Sequence, residues 1–110
     1  MKNIEFIKTF SLGEIGESEK SKDVKEIFNG TRRRMVQVDL RRGEVLAKHK
    51  ANEPITVFCL AGGGTFKAGP DLEDEQKLVA GTLITLEGGV EHEVIAESEI
   101  SLLVTKFKAE

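Results

Sequence analysis

The chain has 110 residues and contains no tryptophan and no tyrosine, with only six phenylalanines. Binding of sugars or unpaired bases by stacking therefore has few aromatic faces to use. A single cysteine, Cys59, excludes an intramolecular disulfide and suits a reducing compartment. No apolar run approaches the roughly 20 residues of a membrane helix. The start, Met1-Lys2-Asn3-Ile4-Glu5-Phe6, has no uninterrupted apolar stretch of the kind a signal peptide carries. The expectation is a cytoplasmic protein that does not engage membranes. A net charge of −3 offers little attraction to phosphate backbones, so nucleic acid is not an expected partner. Prolines number two and glycines eleven, a balance that suits strands joined by tight turns. The length predicts one domain over 1–110, large enough to bury one core without disulfide or metal staples.

Hydrophobic periodicity is two rather than 3.6. Val36, Val38 and Leu40 alternate with Gln37 and Asp39, and Ile55, Val57 and Cys59 alternate with Thr56, Phe58 and Leu60. Leu83–Leu86 and Ile100–Val104 are further short runs with strand character. Asn29-Gly30, between Val24–Phe28 and Arg32–Leu40, is a strong hairpin signal. Turns are expected at Arg41-Arg42-Gly43, Gly62-Gly63-Gly64, Ala80-Gly81 and Gly88-Gly89, and an acidic loop over Gly69–Glu75. The glycine triplet is not a phosphate loop, because no Lys-Ser/Thr follows it. The acidic loop lacks the alternating ligands and glycine of a calcium loop. Ser18–Lys25 reads as a loop or one helical turn. The pattern predicts an all-β barrel or sandwich.

Charge is uneven. Residues 31–50 hold seven Lys/Arg and two Asp/Glu, whereas 51–110 hold four Lys/Arg and eleven Asp/Glu. The Arg32-Arg33-Arg34 run with Arg41-Arg42 reads as a solvated surface.

Two glycine-to-histidine spacings carry more information. Gly43, His49, Ala51, Ile55 and Gly62 keep one set of intervals, and Gly81, Glu87, Gly89, His92 and Ala96 another. Together they resemble the paired motifs of the cupin superfamily, across residues 24–107. The resemblance implies a double-stranded β-helix, or jelly-roll, cupin barrel like that of the RmlC-like proteins, with 1–23 as an N-terminal extension that adds a strand or covers the sheet. Metal-binding cupins hold a divalent transition metal through two histidines and a glutamate of the first motif and one histidine of the second. Here His49 and His92 match two of those positions. Ala51 and Ile55 occupy the other two and offer no donor, while Glu87 and Ala96 replace the usual proline and asparagine. The resemblance is to small single-domain cupins with a degenerate metal site.

Strand alternation then places side chains. The expected barrel interior is His49, Ala51, Ile55, Val57, Cys59, His92 and Val94, an apolar pocket with two imidazoles and a thiol. Catalytic metal sites typically use three protein ligands and an open position, and His49 with His92 is one short unless Glu53 swings in. Histidine can also move protons near neutral pH, but Glu91 and Glu93 alternate outward and leave His92 without an orienting carboxylate. Cys59, between Phe58 and Leu60, reads as a small buried hydrophobe rather than a nucleophile. The sequence thus points to a small-molecule-binding cupin, either without cofactor or with a divalent transition metal. The alternative is a metal-dependent enzyme of dioxygenase or isomerase type, and a third reading is a regulatory or interaction module. Enzyme activity stays open at this stage. A homodimer is expected, since an unpaired sheet edge is a liability.

Overall fold

A computed structural model describes residues 3–14 and 20–109, which contain seven antiparallel strands and no helix. The strands are β1 (Lys22–Asn29), β2 (Arg33–Leu40), β3 (Val45–His49), β4 (Ile55–Ala68), β5 (Asp74–Val79), β6 (Leu83–Leu86) and β7 (His92–Phe107). Among the described residues no helix is long and apolar enough to cross a membrane.

The two longest strands organise the rest. β4 and β7 pair along almost their whole lengths, from Ile55 opposite Lys106 to Ala68 opposite His92. Their outer edges are shared between shorter strands. The first half of β4 pairs with β6 and the second half with β5. The start of β7 pairs with β3 and its end with β2, which in turn carries β1. Ladder register slips twice in the middle, between Cys59 and Ala61 and between Gly62 and Gly64. Each slip inserts a bulge, and bulges bend a strand and increase its twist. The long pair therefore folds over on itself, so that its two halves form opposite walls.

Those walls enclose one apolar core. Val36, Val38 and Leu40 of β2, Ile55, Val57 and Cys59 of β4, and Ile100, Leu102 and Val104 of β7 face Phe66, Leu78, Val94 and Ala96. The period-two reading thus holds for β2, for the first half of β4 and for the second half of β7. The hairpin at Asn29-Gly30 forms, closed by the Gly30 amide on the Arg33 carbonyl at 2.9 Å.

Four local expectations need correction. Gly62-Gly63-Gly64 is not a turn but the bulged middle of β4, where only glycine lets two backbones approach this closely. The acidic segment is a loop only as far as Glu73, because β5 begins at Asp74. Ile100–Val104 is not a separate short strand but the second half of the 16-residue β7. The arginine run is not simply solvated: Arg33 pairs with Glu5 at 3.4 Å, Arg34 with Glu26 at 3.0 Å and Arg41 with Glu99 at 3.4 Å. These exposed pairs contribute little individually.

Residues 3–14 form no strand. They lie across the sheet, tied by the Gly13 amide to the Leu60 carbonyl at 2.9 Å and by Phe6 against Phe28, ring centroids 5.4 Å apart. The expected loop or helical turn over Ser18–Lys25 falls partly outside the described residues; from Lys22 onward the chain is strand.

Candidate functional site

β3 ends on His49 and β7 begins on His92, and the ladder sets these two residues directly opposite each other. Their rings lie 4.2 Å apart between centroids, edge to face at 61°. His92 is 4% exposed, whereas His49 sits at the open end. On its other side His92 stacks on Phe66 of β4, with centroids 5.7 Å apart and rings only 10° from parallel.

Each ring is oriented through the backbone. His49 Nδ1 lies 2.8 Å from the Ala47 carbonyl oxygen and His92 Nδ1 lies 3.0 Å from that of Val90. A carbonyl brings no proton, so Nδ1 is the donor in both. In the neutral rings the lone pair is then on Nε2. Among the described residues neither Nε2 has a hydrogen-bond partner, yet no buried side-chain nitrogen or oxygen is unsatisfied. Nε2 of His92 must therefore reach open space, which is the cavity.

That cavity measures about 270 Å³. Val36, Val38, Val57, Leu102 and Val104 form its buried part, and His49, Lys50 and Lys106 stand at the exposed end. Of the residues expected inside the barrel, His49, Ala51, Ile55, Val57, His92 and Val94 line it. Cys59 faces inward, as alternation requires, but lies in the core away from the cavity wall. Burial raises its thiol pKa, only partly offset by a hydrogen bond from the Ala61 backbone; the protonated thiol itself donates to the Ala61 carbonyl at 3.5 Å. Native protein is expected to leave a thiol-reactive disulfide reagent unconsumed and to consume one equivalent in denaturant. Stoichiometric reaction of the folded protein would contradict this burial.

Glu53 does not complete the histidine pair. Among the described residues no three His, Cys, Asp or Glu side chains come together in a group that could hold a metal. The donor set is two imidazoles, one short of a typical catalytic metal site. Glu91, turned outward as alternation requires, pairs with Lys48 at 3.1 Å instead of with His92.

Sequence reasoning missed the two charged cavity residues, Lys50 and Lys106, and did not name apolar lining residues such as Leu46, Phe66 and Leu102. Lys106 continues the inward row Ile100, Leu102, Val104 by one more step of two, so the signal was there. What hid it is distance along the chain: only the bend in β7 brings its last turn-facing residues back to the end where it began. Lys50 follows the end of β3, where the register slips between Leu46 and His49 and simple alternation no longer applies.

Burial holds the His92 pKa below its ordinary 6.5, against the bond to Val90, and the neighbouring His49 and Lys106 push the same way. The sign follows directly. Above 6.5 the imidazole is neutral in both folded and unfolded chains. As pH falls below 6.5 the unfolded chain gains a proton that folded His92 resists, so stability declines until the folded pKa is also passed. Between about pH 7.5 and about pH 5, the urea midpoint should fall, and His92→Phe should flatten that dependence. An equal slope in the variant would rule out His92 as its source.

No protein-family model matches the chain, and no curated protein is similar to it in sequence. Solved structures do resemble it. A conserved protein of unknown function from Streptococcus pyogenes superposes with a TM-score of 0.76 at 18% identity, covering 98% of this chain and 93% of that one. An RmlC-like cupin protein from Desulfovibrio desulfuricans gives 0.76 at 17% identity, over 92% and 95%. An RmlC-like cupin family protein with a double-stranded β-helix fold, from Methanocaldococcus jannaschii, gives 0.72 at 18% identity, over 89% and 90%. With β4 and β7 folded over a single core and a histidine pair at the open end, the chain has the all-β jelly-roll fold of the RmlC-like cupins.

Proposed function

We propose that this protein binds a small organic molecule in the barrel cavity, through the two histidines of a degenerate metal site. The observation that supports this is the cavity itself. Close-packed interiors leave few voids larger than a water molecule, yet here about 270 Å³ stays open between apolar walls and two oriented imidazoles. Small-molecule sites have this composition: mostly apolar, with a few placed polar groups. The site lies just below the usual size range of about 300–1,000 Å³, so the ligand is small.

The reading is tested by methyl-resolved NMR. Titration with small organic acids and alcohols should shift the Val36, Val38, Val57 and Leu102 methyl signals and leave those of Val79 and Leu83, exposed on the far turn, unmoved. A cavity silent to every compound would overturn it.

Metal chemistry is the rival. The two Nε2 lone pairs suit zinc, copper, iron or nickel, and such an enzyme would need a further ligand that the described residues do not supply. Elemental analysis of protein purified without chelator or histidine tag separates the readings. Stoichiometric metal that disappears in His49→Ala or His92→Ala would favour the enzyme.

The expected homodimer is supported by β1, which among the described residues pairs only with β2 and has no strand on its other edge. Sedimentation equilibrium would detect it. A cytoplasmic location is part of this reading, consistent with the free, buried Cys59.

A further inference from the structure

The cavity wall has a charge pattern that the histidines alone do not explain. Lys50 and Lys106 both line it, and among the described residues no aspartate or glutamate does, in a chain that carries 19 acidic residues. Several other cations are paired, Lys22 with Glu44 at 3.8 Å, Lys48 with Glu91 and Arg34 with Glu26. Others away from the cavity, such as Lys25, Lys67 and Lys77, have no such partner among the described residues, so what sets Lys50 and Lys106 apart is their place on the cavity wall. Among the described residues, Lys50 and Lys106 have no hydrogen-bond or ion-pair partner, although Lys106 ends the same inward row whose other members are buried hydrophobes. Two unpaired ammonium groups at the exposed end of an apolar cavity select an anion, which charge-assisted hydrogen bonds would hold.

The histidines demand the opposite kind of group. With each Nδ1–H committed to a backbone carbonyl, the neutral rings offer only acceptors. A carboxylate cannot donate to them, so the ligand needs a second group with a proton to give. An ammonium would serve the lone pairs but is repelled by the lysines. A hydroxyl serves them without that cost. At about 30 Å³ per water, the cavity holds roughly nine water volumes, or about ten non-hydrogen atoms.

We infer that the cavity binds a small aliphatic hydroxy acid, with its carboxylate between Lys50 and Lys106, its hydroxyl donating to Nε2 of the histidine pair, and its branched apolar body against Val36, Val38, Val57 and Leu102. This rests on the small-molecule reading above and names its ligand class.

Isothermal titration of the full chain with four probes, in chelator and again with added zinc, tests it. The probes are 2-hydroxy-4-methylpentanoate, the same acid without the hydroxyl, the methyl ester of the hydroxy acid, and leucine. The hydroxy acid should bind at least about tenfold more tightly than the ester and about fivefold more tightly than the deoxy acid, with leucine weaker than either acid. Lys106→Gln and Lys50→Gln should each weaken the acids by about threefold to tenfold and leave the ester unchanged. His92→Phe should erase the hydroxyl advantage alone. An ester that binds as well as the acid, or a deoxy acid that matches the hydroxy acid, overturns the inference while the small-molecule reading stands. Binding seen only with zinc overturns the direct hydrogen bond to Nε2. If none of the four probes binds and the cavity methyls also stay silent to the wider set, both fall.

Discussion

Gly62→Ala is expected to lower the stability of the barrel by about 3–5 kcal/mol, because it combines a forbidden conformation with a backbone collision. Gly62 has φ +81°, in the left-handed region that side chains strain to enter. A Cβ there would lie 1.7 Å from the carbonyl oxygen of Glu99 and 2.8 Å from the Cα of Ile100. Those atoms belong to β7, so no side-chain rotation relieves the clash. The paired strands would have to separate at the point where they bend. For a domain of this size the melting temperature should drop by roughly 15–25 °C, or the protein should fail to fold. Gly43→Ala is the control. Its φ is +83°, but an added Cβ meets nothing within 4 Å, so only the conformational strain, about 1–2 kcal/mol, applies. Thermal and urea denaturation of the two variants side by side measure the difference. Equal losses would mean that close strand approach at the bulge does not constrain this fold.

Phe66→Ala should cost about 3–5 kcal/mol. The ring is 2% exposed, packs in the core and supports His92 by stacking. Its loss removes buried apolar surface and opens a void continuous with the cavity, so His92 loses the face that holds it. Phe66→Leu retains most of the volume and should cost less than about 1.5 kcal/mol, while still removing the flat support. The pair of variants thus separates packing from orientation. Denaturation reports the first. The NMR signal of the His92 Nδ1 proton reports the second, and it should exchange faster with solvent in both variants. If Phe66→Leu leaves that proton as slow as in the parent, the bond to Val90 alone orients the ring.

The difference between these two sites also shows where sequence reasoning succeeds. His49 and His92 were legible because strand periodicity and motif spacing act locally: a residue two positions from an inward neighbour also faces inward unless a bulge intervenes. The same rule placed Ala51, Ile55, Val57 and Val94 correctly on the interior face. Bulges are what defeated it. Three consecutive glycines have the composition of a turn, and nothing local separates a chain that reverses from one that crosses close to another strand. The Gly62 and Gly64 contacts are with Glu99 and Ile95, more than 30 positions away. Lys106 is a similar case. Its inward direction follows from alternation, but its neighbourhood with His92 depends on β7 doubling back.

By itself, then, the sequence determined the strand content, the single core, the histidine pair and the absence of a third donor at Ala51 and Ile55. These follow from residue identity and a short repeat. The tertiary structure alone decided that the glycine triplet is the bend, that Cys59 lies away from the cavity wall, and that two lysines without acidic partners join the histidines at its open end. Each of those depends on which distant backbone passes within a few ångströms, and that is set by the register of β4 on β7.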